Sequence, residues 1–137
     1  MEGRSGSRFT ELAFTLLRVV VGFLFFCHGA QKVLGWFTEP GGQRMALTFP
    51  MLPWFAGWIE TVGGVLIMLG LLTHIVAFLL SGEMAVAYFM AHAPHGLVPL
   101  VNHGELAALY SFVFLFFAAH GGGPYSLDAA IGRRRRP

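Results

Sequence analysis

The sequence predicts an all-α membrane protein, a bundle of four transmembrane helices with both chain termini in the cytoplasm. Hydrophobic residue types make up 55% of the 137 residues and charged types only 12%, about half the charged fraction of an ordinary soluble domain. Basic residues gather near the two ends of the chain. Four apolar runs lie between these ends, at residues 12–30, 54–72, 75–91 and 106–119.

The lengths of the runs set the expected helices. A crossing needs about 20 apolar residues, which the first two runs provide and the third reaches if it begins at His74. The fourth run is short, so its helix must begin near His103 and include Glu105. Arg18 interrupts the first run and no A-x-A site follows it, which favours an uncleaved helix over a signal peptide. We expect a single domain, 1–137, with helices at about 12–32, 54–72, 74–91 and 103–120 and an interfacial tail at 121–137.

Lysine and arginine decide the orientation of the helices. Arg4, Arg8 and residues 133–136 flank the bundle at its ends, whereas only Lys32 and Arg44 lie in or beside the first loop. The excess of basic residues puts both termini in the cytoplasm. The loops at 33–53 and 92–102 then face outward, with a turn expected at Pro40-Gly41-Gly42. Four arginines beside a membrane span suit a topology anchor, and no nucleic-acid partner is expected.

Glu60 is the charge that most needs an explanation, because a lone charge in hydrocarbon is costly and such residues usually face the bundle interior. Gly57, Gly63 and Gly64 flank it at helical spacing, which predicts a packing face. Lys32 or a histidine is its expected partner. At a rise of about 1.5 Å per residue, Arg18 and Glu83 fall at matching depths of about 9 and 12 Å from the inner edge, so they are expected to pair.

Polar side chains at similar height form a predicted outer layer: His28, Lys32, Glu60, His92, His95, His103 and Glu105. A carboxylate beside a histidine or lysine can move a proton to or from a carbonyl or quinol oxygen. We therefore expect catalytic roles for Glu60, His28, Lys32 and Glu105. Aromatic residues could wall a pocket for a flat ring, so a quinone is the expected cofactor, bound by His28, Glu60, His92 and Phe25.

Other site chemistries stay open. His92, His95, His103 and Glu105 are ligand types that suit zinc, copper or iron, although Pro94 between the first two makes their geometry uncertain and no metal is assigned. A haem held by His28 and His92 is a further alternative. Cys27 is the one cysteine, so the chain has no internal disulfide and no CxxC pair. Nucleotide-binding motifs and a nucleophile elbow are absent from the sequence.

Four stretches give the chain a resemblance to the DoxX-like family of small bacterial membrane proteins. They are LLRVVVGFLFFCHGAQKVLG from Leu16, IETVGGVLIMLGLLTH from Ile59, HGELAALYSF from His103 and GGGPYSLDAAIG from Gly121. The resemblance implies a four-helix bundle in the bacterial cytoplasmic (inner) membrane. It also implies a family pattern of Arg18, His28, Lys32, Glu60, Glu105, Ser126 and Asp128. Some relatives are membrane subunits of thiosulfate:quinone oxidoreductases, and others are thought to join complexes for thiol and oxidative-stress defence.

Three functions are compatible with this pattern. The favoured one is a subunit of a quinone- or thiol-linked oxidoreductase system, dependent on soluble or membrane oxidoreductase partners. The second is a carrier or receptor for a small solute. The third is a membrane scaffold whose tail, 121–137, recruits soluble partners. Small-residue helix faces left over in the bundle would also suit a homodimer.

Overall fold

The computed structural model describes residues 2–40 and 52–134, and all the regular secondary structure within them is helical. The predicted turn at Gly41 and Gly42, Arg44 and the last tail residues, 135–137, lie outside the described residues. The five α-helices are α1 (Glu2–Leu34), α2 (Leu52–Leu69), α3 (Thr73–Ala87), α4 (Glu105–His120) and α5 (Leu127–Arg134). Among the described residues, three helical segments are long and apolar enough to cross a membrane: Ser7–Leu34, Leu52–Leu69 and Thr73–His95.

Two helix ends differ from the expected ones. The first helix begins at Glu2, because adding residues to a helix that already exists is far less costly than starting a new one. The third segment leaves the α-helical path at Ala87 and continues as a π-helical turn, Tyr88–His92, and a 3₁₀ turn, Ala93–His95. Pro94 lies in that second turn, where a proline removes an amide donor and the regular hydrogen-bonding pattern cannot continue.

The chain divides into two compact units, of which the first spans Met1–Thr73 and Gly122–Pro137. Its main contact joins α1 to α2 through glycines. A Cβ atom at Gly64 would lie 2.6 Å from the Phe26 amide nitrogen and 2.7 Å from the Gly22 carbonyl oxygen. A Cβ at Gly29 would lie 2.6 Å from the Gly57 carbonyl oxygen. The two backbones are therefore in direct contact, the close approach that small residues allow between membrane helices.

The second unit spans His74–Gly121 and contains most of α3, the π and 3₁₀ turns and α4. Two serines fasten its helices together: Ser81 Oγ donates to the Ser111 carbonyl at 2.8 Å, and Ser111 Oγ donates to the Ser81 carbonyl at 3.0 Å. Tyr110 and Phe114 stack on α4 with ring centroids 5.7 Å apart. In a membrane these two hydroxyls cannot hydrogen-bond to water, so the reciprocal bonds satisfy both of them.

Large apolar side chains cover much of the outside of both units. Phe9 is 74% exposed on α1 and Phe112 is 71% exposed on α4. Soluble monomers rarely carry contiguous exposed apolar surface on this scale. With the three apolar helical segments, this surface shows that the protein is built for a lipid environment.

Candidate functional site

Glu60 occupies the glycine-lined contact between α1 and α2. It lies in the third turn of α2 and is only 2% exposed. Gly57, Gly63 and Gly64 of the same helix are buried with it. The sequence expectation that Glu60 faces a packing partner rather than lipid is confirmed.

Lys32 is the partner of this carboxylate. Lys32 lies in the last turn of α1, and its Nζ is 2.5 Å from Oε1 of Glu60. The lysine side chain is 27% exposed, so the ammonium joins the buried carboxylate to the surface of the unit. Lysine does this readily because its long stem packs on apolar groups while the charged end reaches polar surroundings. The expected pairing of Glu60 with Lys32 is present.

The second carboxylate oxygen of Glu60 is the most unusual atom of the site. Oε2 is buried and has no hydrogen-bond partner among the residues that the structure describes. Buried polar atoms are paired in the large majority of cases, and an exception calls for an explanation. An acceptor held in this state suits a hydroxyl donor from outside the chain, or a proton carried by the carboxyl group itself.

The other residues assigned to the first unit are placed differently. Phe25 is buried, with 1% exposure, in the core of the unit. His28 lies one turn before Lys32 on α1 and is exposed. Both keep their predicted roles as hypotheses.

His92 and Glu105 belong to the second unit. His92 is half-buried in the π-helical turn, and its Nδ1 lies 3.1 Å from the Asn102 carbonyl oxygen. Asn102 is 4% exposed and donates to the Tyr88 hydroxyl and the Gly96 carbonyl. Glu105 is exposed in the first turn of α4. His92 thus helps to order the loop before α4, and its role with Glu60 stays a prediction.

The described residues do not bring together a set of metal ligands, and the single cysteine is not at the Lys32–Glu60 pair. Across residues 2–40 and 52–134, no three His, Cys, Asp or Glu side chains come together as metal ligands would. His95 is exposed and its Nδ1 lies 3.1 Å from the Ala91 carbonyl oxygen. Cys27 is half-buried on α1, as a small apolar core residue often is.

Arg18 is a second buried charge of the first unit, 1% exposed. Its Nη1 donates to the carbonyl oxygens of Ile67 and Met68, both at 2.7 Å, and its Nη2 donates to that of Tyr125 at 2.8 Å. The last carbonyls of a helix lack partners within the helix, and a cation there also opposes the helix dipole. Arg18 therefore closes α2 and ties it to the segment before α5. Glu83 lies in the second unit, so its expected pairing with Arg18 stays a prediction.

Asp128 caps the start of α3, as Arg18 caps the end of α2. Its two carboxylate oxygens accept from the backbone amides of Leu72 and Thr73 at 2.8 and 2.9 Å. Ser126 begins α5 by accepting from the Ala129 amide at 3.2 Å. The start of a short helix at Ser126 was predictable from the sequence, whereas charge and depth did not predict that Arg18 caps α2 or that Asp128 caps α3. The signal was present in the family pattern, which contains Arg18, Ser126 and Asp128 together.

Comparison with known proteins supports the same grouping. A family model described as DoxX matches residues 13–93. An uncharacterised Haemophilus influenzae protein is 48% identical over 115 residues, which are 82% of this chain and 85% of that protein. A Bacillus subtilis protein provisionally named oxidoreductase CatD is 37% identical over 130 residues, 92% of each chain. An uncharacterised membrane protein of Mycobacterium tuberculosis is 29% identical over 86% of this chain and 80% of its own length. No solved structure matches the chain.

Proposed function

Because the chain belongs to the DoxX family of membrane proteins, we propose that it is an integral membrane subunit of an oxidoreductase system linked to a quinone or to thiols. The name of the Bacillus subtilis relative supports an oxidoreductase role. The Lys32–Glu60 pair supports a role in moving protons, because a carboxylate and an ammonium in contact can exchange a proton with a bound group.

The unpartnered Oε2 of Glu60 is the observation that carries this proposal. A quinone, when bound, would supply two-electron, two-proton chemistry, because its carbonyl oxygens accept from a protonated carboxyl group and the hydroxyls of the quinol donate to a carboxylate. Oε2 of Glu60 would be the atom that gives a proton to such an oxygen. Nζ of Lys32, 2.5 Å from Oε1, stabilises the carboxylate once the proton has left. His28, His92, Glu105 and Phe25 complete the proposed site.

The electrons have to come from a partner. The chain has one cysteine, so it contains no dithiol of its own. A dithiol or a reduced sulfur compound on a soluble or membrane partner supplies two electrons, and the membrane subunit provides the site where protons are taken up. The membrane subunit therefore needs its partner's electrons for each turnover.

We also propose four crossings with both termini in the cytoplasm of a bacterium. The helix α4, Glu105–His120, is apolar but shorter than the three long segments. The turn before it, in which Asn102 and Gly104 are buried, would lengthen the part of the chain that crosses the membrane. Arg133 and Arg134 end α5 with the positive charge typical of a cytoplasmic face. A fluorescent-protein fusion after Pro137 should be bright and an alkaline phosphatase fusion inactive. The reverse pattern would contradict this orientation.

The functional test compares two carboxylates. Membranes from a deletion strain are complemented with the wild type, with Glu60→Gln or with Glu39→Gln, and thiosulfate- or thiol-dependent quinone reduction is measured. Glu39 is exposed, outside the pair, and serves as the control. We expect Glu60→Gln to lower the rate by about 100-fold, the lower end of what a positioned acid–base group contributes, at unchanged protein abundance. A wild-type rate in Glu60→Gln, or in the deletion strain itself, would refute the proposal.

A further inference from the structure

An open cleft of about 410 Å³ lies in the first unit, beside the last turn of α2. Residues of α1, α2 and the start of α5 form its walls. The proposed redox role does not use this cleft, which is lined by Arg18 rather than by the Lys32–Glu60 pair. Its lining nevertheless combines strong positive charge with an apolar wall, and that combination restricts what can bind.

The charged residues that line the cleft are all positive. Arg18 and Arg133 line it, and no acidic side chain among residues 2–40 and 52–134 does. Carbonyl oxygens hold Arg18 in the wall, so it acts through its charge. Arg133 is exposed on α5, and its Nη2 makes a long bond of 3.5 Å to the Pro124 carbonyl oxygen, so its guanidinium can also reach a ligand. The nearby Asp128 carboxylate already accepts two backbone amides.

The remaining wall is apolar and continues onto the surface that faces lipid. Val19 is 39% exposed, Leu69 is 48% exposed and Leu127 is 41% exposed, and all three line the cleft. Ile131, one turn further along α5, is 42% exposed. A short helix with exposed leucine and isoleucine followed by arginines is typical of a segment that lies in the membrane interface.

We infer that this cleft binds the phosphate headgroup of an anionic phospholipid, with an acyl chain along Val19, Leu69 and Leu127. Guanidinium groups form charge-assisted hydrogen bonds with phosphate oxygens. Basic pockets between membrane helices are known to take such headgroups. A free anion would gain nothing from the apolar wall. The phosphate of a zwitterionic lipid already has its own ammonium group as a counter-ion, so the two arginines favour a lipid with a net negative charge.

The test counts lipids on the purified protein by native mass spectrometry after exchange into mixed micelles of phosphatidylglycerol or phosphatidylcholine. Arg133→Gln is compared with Arg134→Gln, a matched control, because Arg134 is exposed on the same helix and does not line the cleft. We expect one tightly held phosphatidylglycerol in the wild type. We expect about fivefold weaker binding in Arg133→Gln, the effect of removing one arginine near an anionic headgroup, and near wild-type binding in Arg134→Gln.

A second variant tests the apolar wall without a change in charge. Val19→Trp fills the cleft beside Arg18 and should also reduce phosphatidylglycerol binding. Equal losses in Arg133→Gln and Arg134→Gln would overturn the inference, since they would indicate diffuse attraction to the surface. Equal binding of phosphatidylcholine, or displacement of the lipid by millimolar inorganic phosphate, would overturn it as well.

Discussion

The asymmetry of the Lys32–Glu60 pair leads to a quantitative prediction about stability. Lys32→Met leaves a carboxylate that is 2% exposed without its cation, whereas Glu60→Gln leaves an ammonium that is 27% exposed. Removing the partner of a buried charge costs about 3–5 kcal/mol. An ammonium that reaches the surface loses less, about 1–3 kcal/mol, as for an unsatisfied polar group. We therefore expect Lys32→Met to be the more damaging substitution.

The assay is a double-mutant cycle on the free energy of unfolding, measured by titration with a denaturing detergent in bicelles. The double variant, Lys32→Met with Glu60→Gln, should be more stable than the sum of the single effects by about 0.5–3 kcal/mol, the range for residues in contact. If the two single variants lose the same stability, or if their effects add, the buried pair does not have the energetic role described here.

Three further predictions concern helix contacts and are measured by the same titration. Gly64→Ala should cost about 1–3 kcal/mol, because its Cβ would lie 2.6 Å from the Phe26 amide nitrogen and force α1 from α2. Asp128→Ala should cost about 0.5–2 kcal/mol, because the Leu72 and Thr73 amides lose their acceptor. Ser81→Ala should cost about 0.5–1.5 kcal/mol, because the bond from its hydroxyl to the Ser111 carbonyl is lost.

Controls and contradicting results are available for each of these. Gly82→Ala is the control for Gly64→Ala, because a Cβ at Gly82 meets nothing within 4 Å. Equal stability of these two variants would refute the direct backbone contact between α1 and α2. Wild-type stability in Asp128→Ala would show that the start of α3 does not depend on its cap. An unchanged Ser81→Ala protein would show that the serine bonds do not hold α3 to α4.

The parts of the fold that follow from local chemistry were predictable. Apolar runs and glycine spacing identified α2 and the buried position of Glu60, because hydrophobic periodicity is a property of the segment itself. The beginning of α1 at Glu2 was not predictable from hydropathy. Hydropathy shows which residues suit lipid, and it does not show whether the helix continues beyond them into water. The π-helical turn at Tyr88–His92 likewise depends on packing within the second unit.

The candidate site divides in the same way. The Lys32–Glu60 pair was predictable because both members carry opposite formal charges that the sequence displays. The partners of Arg18 were not, because backbone carbonyls are present at every residue and give no signal of which will be free. Asp128 acts on amides 55 and 56 residues away in the chain, a distance that charge and depth counting cannot bridge.

The central claim is that the Glu60 carboxyl group takes up and releases a proton during quinone reduction. Infrared difference spectroscopy on the reconstituted protein with its electron-donating partner measures this directly. We expect a carboxyl C=O band that changes on quinone reduction in the wild type and is lost in Glu60→Gln. Identical difference spectra for the wild type and Glu60→Gln would contradict it.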